Sequence, residues 1–328
     1  MTNKTLQSLG QGLGLAAAVA ALAGCATAPP KHQALNHRAP PAHGAPPLSA
    51  PAAREAARAD RDLVAQASAF ESYMRHARAI DATFSGPAEV SQALQTGASH
   101  EPVELEGGMV AYAALAALQE PRFVAAVKAE RAGLAERLAA DPRAALSLPG
   151  GEAAGARASG ALYAQGSALS GQGEKVKHAA YSVQRQSWST AKVADPGGRL
   201  ARVKRLSTLA YQPAREDAEH VQAALSDGAR RPGPASPLVA RGVALAALSV
   251  LGQERQARSL MSEPRTGSCL HMAKLNLYQC LASAGPHYED IYCLGQHAMI
   301  DTGQCVVEAT KTGGGARQLA MTGAAYGR

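Results

Sequence analysis

Three polar side chains near the end of the chain have types and spacings that could support chemistry. Asp290, His297 and Asp301 are separated by seven and four residues, so on a helix they would share one face. Two carboxylates and an imidazole on one face can bind a metal ion or act as an acid and a base. These three residues are therefore the candidate metal ligands, although we expect a solvated polar face and no metal site.

A serine and two lysines form a second candidate set. Ser189-Thr190-Ala191-Lys192 fits Ser-x-x-Lys, and Lys311-Thr312-Gly313 fits Lys-Thr-Gly. They resemble two of the three motifs of penicillin-binding proteins and serine β-lactamases, in which lysines activate an acylated serine. The resemblance implies Ser189 as the nucleophile, assisted by Lys192 and Lys311, on a fold with a five-stranded sheet. The intervening Ser-x-Asn motif of that family is missing.

One glutamate is a third candidate. Glu71-Ser72 is similar to the catalytic Glu-Ser pair of lytic transglycosylases, but the Gly-Leu-Met-Gln stretch of that family is absent downstream. The alternative is a solvated position on a helix. Gly-x-Ser-x-Gly, His-Glu-x-x-His and P-loop motifs are absent as well. The sequence thus contains no complete catalytic set, which favours a protein that is not an enzyme, and we expect no cofactor.

The last four cysteines, Cys269, Cys280, Cys293 and Cys305, predict two disulfides, for which three pairings exist. The first two are eleven residues apart, about three helical turns, so they would share a face. Gly285-Pro286 then breaks the helix, which favours an antiparallel hairpin similar to twin-cysteine helical hairpins. Its inner bond would join Cys280 to Cys293. Its outer bond would join Cys269 to Cys305.

Residues 174–205, called the basic segment below, carry most of the net charge. They hold eight lysines and arginines against two acidic residues, while the whole chain has a formal charge of +7. Positive charge beside an aromatic side chain suits a glycan, an anionic lipid headgroup or an acidic protein. The alternative is an ordinary solvated face with Trp188 packed in the core. The residues expected to contact a partner are Lys177, Arg185, Trp188, Lys192, Arg202 and Arg205.

The composition and periodicity of the chain predict an all-α fold, and its helices must position these residues. Aromatic residues make up only 4% of the chain, and alternating strand patterns are scarce. We expect an irregular bundle built around one long central helix, 152–193, that breaks near Gly171 or continues through it. The pentamer at 114–118 recurs at 244–248, which is similar to helical repeats such as the tetratricopeptide family, although no 34-residue period exists. The predicted helices cover 53–84, 87–95, 105–118, 122–140, 152–193, 199–209, 213–229, 238–251 and 254–262, followed by the cysteine hairpin.

The start of the chain predicts where the protein is located. A short apolar run ends in Leu22-Ala23-Gly24-Cys25, which resembles the lipobox of bacterial lipoproteins. The resemblance implies cleavage before Cys25, several acyl chains on that residue and, since Ala26 follows, the periplasmic face of the outer membrane. We expect a signal peptide (1–24), a proline-rich tether (25–53), a helical bundle (54–230) and a helical pair with the cysteine hairpin and tail (231–328).

Together these features predict a membrane-anchored periplasmic scaffold or adaptor with a basic contact surface. Its partner would be an anionic cell-wall polymer, lipid headgroups or a periplasmic protein, and nucleic acid is excluded by the compartment. Two alternatives stay open. One is a cell-wall hydrolase or serine acyl enzyme, and the other is a helical-repeat interaction module.

Overall fold

The computed structural model describes the backbone of residues 50–312 and the side chains of residues 61–312. Within this range there are fourteen α-helices, one 3₁₀ segment (Pro142–Ser147), one π-helical segment (Leu294–Asp301) and no β-strand, which confirms the all-α prediction. The α-helices are α1 (Ala50–Arg78), α2 (Pro87–Ala98), α3 (Pro102–Leu118), α4 (Pro121–Ala129), α5 (Leu134–Ala140), α6 (Gly151–Val183), α7 (Ser187–Thr190), α8 (Pro196–Leu206), α9 (Asp217–Ser226), α10 (Pro237–Leu251), α11 (Glu254–Arg258), α12 (Pro264–Ser283), α13 (His287–Cys293) and α14 (Thr302–Glu308).

The predicted signal peptide, the lipidation site Cys25 and most of the tether lie outside the described residues. The last four positions assigned to the tether, 50–53, already belong to α1. In the part of the chain that the structure describes, no helix combines the length and the apolar content that crossing a bilayer requires.

Two apolar helices, α3 and α10, form the centre of the core. Every residue from Met109 to Ala114 is fully buried, because α3 packs against α1, α6 and α10 at once. Small residues permit the close approach of α10: a Cβ atom added to Gly242 would lie 2.6 Å from the Cβ of Ala113. The two copies of the repeated pentamer therefore lie on helices that pack against each other.

The long helix α6 is the central element that the sequence predicts, and its row of large residues is buried: Leu162, Leu169, Val176 and Val183. It continues through Gly171 but ends at Val183, ten residues before the predicted end. The hydroxyl of Ser189 donates to the carbonyl oxygens of Val183 and Gln186, which also accept backbone N–H hydrogen bonds in the turn that follows the helix.

Gly166 and Gly173, the glycine row of α6, face the C-terminal part of the fold. A Cβ added to Gly166 would lie 2.7 Å from the carbonyl oxygen of Gly303. A Cβ added to Gly173 would lie 2.8 Å from side-chain atoms of Ile300 and Met299. Glycine at these positions lets the π-helical segment and α14 approach the α6 backbone. The glycine row thus has a packing role in the central helix.

Other predicted helices differ from the structure as well. Those expected over 213–229 and 254–262 are shorter, Asp217–Ser226 and Glu254–Arg258, and the one expected over 199–209 is Pro196–Leu206. The helix expected over 53–84 ends at Arg78, and residues 79–86 form a turn before α2. The helix expected over 122–140 is divided into α4 and α5. The division occurs at Gly133, whose φ of +65° is left-handed and cannot continue a right-handed helix.

Both predicted disulfides are present. Cys280 is bonded to Cys293, and Cys269 is bonded to Cys305, so the hairpin has the inner and outer bonds that the antiparallel arrangement requires. The first arm is α12. The second arm consists of α13, the π-helical segment and α14 in continuous succession.

Helices on the two sides of residue 230 pack against each other. The described residues, 50–312, lie in one compact unit, and α10 packs against α3 and α6. The proline- and glycine-rich loop before α10 is fastened at both ends: Arg231 N–H donates to the Ala156 carbonyl (2.8 Å), and the Ser236 hydroxyl donates to the Ala309 carbonyl (2.5 Å). The loop connects parts of a single core.

Candidate functional site

The basic segment extends over three helices and their connections. It begins in the last third of α6, passes through the short α7 and ends in α8. A single β-bridge between Lys192 and Pro286 fastens the connection before α8 to the turn of the cysteine hairpin. Two hydrogen bonds support it, from Val193 N–H to the Gly285 carbonyl (2.9 Å) and from His287 N–H to the Ala191 carbonyl (3.3 Å).

Most cations of the segment are exposed and lack an acidic partner. Six of its lysines and arginines are exposed, and no carboxylate among residues 61–312 lies within ion-pair distance of them. They are Lys175, Arg185, Lys192, Arg202, Lys204 and Arg205. Lys204 lies over the ring of Tyr278, 5.6 Å from its centroid. Lys177, which the sequence predicts as a contact residue, is half-buried and paired with Glu174 at 2.9 Å.

One cation of the segment has a different role. Arg199 is buried, and its guanidinium pairs with Asp290 and also donates to the carbonyl oxygens of Leu281 and Ala284. Burial raises the pKa of Asp290 to about 6, against the lowering effect of the neighbouring guanidinium. Arg199 therefore joins α8 to the cysteine hairpin and is not part of a contact surface.

The aromatic residue that accompanies the exposed charges is not the predicted one. Trp188 is half-buried, packs against the core and donates its indole N–H to the side-chain oxygen of Gln186 at 2.5 Å. Tyr181, by contrast, is 54% exposed on α6. Its ring lies 6.4 Å from the rings of His178 and Tyr292.

The serine and lysines of the proposed acylation site do not meet. Ser189 is completely buried, and its hydroxyl is committed to two backbone carbonyls at the end of α6. Lys192 is exposed, and Lys311 is exposed and paired with Glu308 at 2.5 Å. The described residues also lack the sheet that the resemblance to penicillin-binding proteins implies. Ser189 caps a helix and cannot reach a substrate.

Glu71 is buried, although the sequence suggests a solvated position. Its carboxylate pairs with Arg75 Nε at 3.2 Å, and the same guanidinium lies 3.5 Å from Asp217 on α9. Asp217 in turn accepts a hydrogen bond from the Tyr211 hydroxyl. This network fastens the segment before α9 to α1, so Glu71 is a structural carboxylate.

The three candidate metal ligands are separated into two groups. His297 Nδ1 lies 2.8 Å from an oxygen of Asp301, whereas Asp290 faces Arg199. The α-helical spacing that would align all three fails because residues 294–301 are π-helical, which has more residues per turn. No cluster of three histidine, cysteine or acidic side chains able to hold a metal ion occurs in the described part of the chain.

A buried lysine and a buried histidine form a cluster that is not among the candidate sites predicted from the sequence. Lys274 on α12 donates to the Ala98 carbonyl (2.9 Å) and lies 3.2 Å from Nδ1 of His100. Burial lowers the pKa of Lys274 well below its usual range, an effect that Glu101 partly opposes. Burial and the neighbouring Lys274 likewise lower the pKa of His100. The His100 ring packs against the Tyr73 ring at an angle of 51°, with a centroid distance of 4.2 Å.

His100 also lines a cleft of about 280 Å³ between α1, the start of α3 and the segment that follows α8. The Ser72 hydroxyl lies in its wall, 3.2 Å from Nδ1 of His76. Arg75 Nη1 lies 3.4 Å from Nε2 of His76, and a guanidinium can only donate, so Nε2 accepts and Nδ1 carries the proton. In this tautomer His76 donates to Ser72 and cannot act as its base.

The sequence does contain a signal for the buried charged residues. Lys274 follows Leu270 by four residues and precedes Leu277 by three, so it falls on the apolar face of its helix. Glu71 stands in the same relation to Ala67 and Met74 on α1. A charged residue within an apolar stripe indicates a buried charge with a partner elsewhere in the fold.

Of the candidate sites, the basic segment is the one whose functional groups are accessible. Its exposed cations have no acidic partner among residues 61–312, whereas Ser189, Glu71 and Arg199 are committed to contacts inside the fold. Comparisons of the chain with protein-family models, with curated proteins and with solved structures give no match.

Proposed function

We propose that this chain is a lipid-anchored adaptor without enzymatic activity, which captures an anionic partner through its basic segment at the periplasmic face of the outer membrane. The observation that carries the proposal is the set of six exposed cations without an acidic partner. The lipobox and the proline-rich stretch that follows it support attachment through Cys25 and a tether.

The charge arrangement supports recognition of a negatively charged surface. Unpaired exposed cations attract such a partner over about 10 Å at 0.1 M ionic strength, and the attraction weakens as salt is added. Arg199 makes the α8 part of the segment rigid, because it joins that helix to the disulfide-bonded hairpin. The exposed side chains Arg202 and Arg205 are thus presented from a fixed backbone.

The test uses the oxidised full chain in mild detergent. Capture is measured by co-sedimentation with purified cell-wall sacculi and, separately, with vesicles that contain anionic phospholipid, each at low and high salt. The first variant replaces four cations of the segment with glutamine: Arg185, Lys192, Arg202 and Arg205. The matched control loses the same charge from exposed cations elsewhere: Lys128, Arg131, Arg143 and Arg215.

We expect salt-sensitive capture by the wild type and by the control, and loss of capture by the segment variant. Equal loss in both variants would mean that only net charge matters, which contradicts a defined surface. Sacculi and vesicles distinguish the two sources of negative charge. Release of soluble wall fragments would contradict the absence of enzymatic activity.

A further inference from the structure

A second cleft lies beside the basic segment, between α6 and the turn that leads into α2. Its volume is about 520 Å³, within the range of about 300–1,000 Å³ that is usual for small-molecule sites. Its floor contains three buried apolar side chains, Phe84, Ala179 and Val183. The cleft thus offers an apolar surface at the bottom of an open, solvent-accessible depression.

The walls of the cleft are polar and exposed. On the α6 side, Lys175, His178 and Ser182 follow each other at intervals of three and four residues, so they form one row. On the opposite side, the carboxylate of Glu89 accepts two hydrogen bonds from Ser85, from the backbone N–H and from the hydroxyl, both at 2.7 Å. One wall therefore provides a cation, an imidazole and a hydroxyl that donates to the His178 carbonyl, while the other provides the oxygens of a carboxylate.

An exposed aromatic ring extends this surface. The Tyr181 ring lies 6.4 Å from that of His178, which lines the cleft, and it is supported edge-on by Tyr292. The exposed face of an aromatic ring carries partial negative charge and attracts weakly positive groups such as the C–H bonds of a sugar ring. A sugar chain has alternating apolar and polar surfaces. The apolar floor and the aromatic face match its apolar surfaces, and the polar walls match its hydroxyl groups.

We infer that this cleft binds an acidic glycan, a sugar chain whose rings pack on the apolar floor and on Tyr181 while a carboxylate of the chain meets Lys175. Lys175 is exposed and has no acidic partner among the described residues, so its charge is available to the ligand. The inference rests on the proposed function in one respect: the same segment supplies the positive wall. It identifies the anionic partner as a carbohydrate.

Two soluble probes test the inference with the oxidised full chain in mild detergent. The first is peptidoglycan strands freed of their peptides by an amidase, which leaves a carboxylate on every second sugar. The second is a chitin oligosaccharide of similar length, which has a similar sugar backbone but no carboxylate. Binding is measured by calorimetry at low salt, and we expect at least about tenfold tighter binding of the acidic strands.

Substitutions separate the contribution of charge from that of stacking. Lys175→Gln should weaken binding of the acidic strands about tenfold and leave the chitin oligosaccharide unaffected. Tyr181→Ala should weaken binding of both probes. Lys128→Gln, which removes an equally exposed lysine from α4, should change neither. Lys175 and Tyr181 are both exposed, so the fold should persist, and urea unfolding checks this.

The outcomes distinguish this inference from the proposed function. Acidic strands that do not bind, or that bind the Lys175 and Tyr181 variants as tightly as the wild type, overturn the inference. The proposed function would stand in that case if capture by sacculi or vesicles still depended on Arg185, Lys192, Arg202 and Arg205. Strands that bind in the cleft while capture ignores those four cations would overturn the proposed surface alone.

Discussion

The two disulfides of the hairpin should stabilise the fold to different degrees, and the chain offers a matched comparison. Each bond joins one fully buried cysteine, Cys305 or Cys293, to one half-buried cysteine, Cys269 or Cys280. Replacing either pair with alanines therefore removes a similar amount of packing. The main difference between the variants is the length of chain that the bond closes, 36 residues for the outer bond and 13 for the inner.

The size of the difference follows from the entropy of loop closure in the unfolded chain. Under the chain-entropy relation, closing 36 residues contributes about 3.8 kcal/mol and closing 13 contributes about 2.9 kcal/mol. The outer alanine pair should thus lower the free energy of unfolding by about 0.9 kcal/mol more than the inner pair. Strain and residual structure change both values, but the matched burial makes their difference informative.

Urea unfolding of the two oxidised variants measures the difference, provided that the dependence on urea concentration is similar in both. A reducing buffer provides the control, because the wild type and both variants then lack disulfides and should approach a common midpoint. An inner-pair variant that is as destabilised as the outer-pair variant, or more so, would refute the entropic reasoning. It would show that local packing around Cys293 determines the stabilisation.

Three further predictions concern individual side chains, and urea unfolding tests each of them. Because the pKa of Lys274 is lowered, the unfolded chain binds a proton that the folded chain does not, so the free energy of unfolding should rise with pH toward about 10, by up to about 1.4 kcal/mol per pH unit. Lys274→Met should remove this rise, and an unchanged slope in that variant would contradict the prediction. Gly171→Ala should stabilise the chain by up to about 1 kcal/mol, because nothing lies within 4 Å of the added Cβ. Gly173→Ala should cost about 1–3 kcal/mol, because the added Cβ would lie 2.8 Å from Ile300 and Met299 atoms, and equal effects of the two variants would show that this close packing is unimportant. Asp290→Asn should cost about 3–5 kcal/mol at pH 7, since it leaves the Arg199 guanidinium buried without a counter-charge, and a neutral result would mean that the backbone carbonyls suffice.

The parts of the fold that depend on local spacing could be predicted from the sequence. The interval between Cys269 and Cys280 and the break at Gly285-Pro286 suffice for the hairpin and its pairing. The glycine row of α6 predicts a close helix contact, but not that residues 299–303 make it. The turn that follows α6 includes hydrogen bonds from the Ser189 hydroxyl to the Val183 and Gln186 carbonyls, and helix periodicity does not reveal these contacts.

The candidate site was harder to predict, because its character depends on partners distant in the chain. Charge counting locates the basic segment but cannot show that Arg199 pairs with Asp290, ninety-one residues away. Helical spacing aligns Asp290 with His297, and a π-helical stretch that no motif announces removes that alignment.

The packing of α6 has a consequence for the order in which the chain is synthesised. The helix is complete by residue 183, but the residues that cover its glycine row, 294–308, emerge more than a hundred residues later. A nascent or truncated chain that stops before residue 294 leaves that row open to water or to a helix of another molecule. Association of incomplete chains should therefore begin at this groove, and the oxidised C-terminal hairpin protects the finished protein against it.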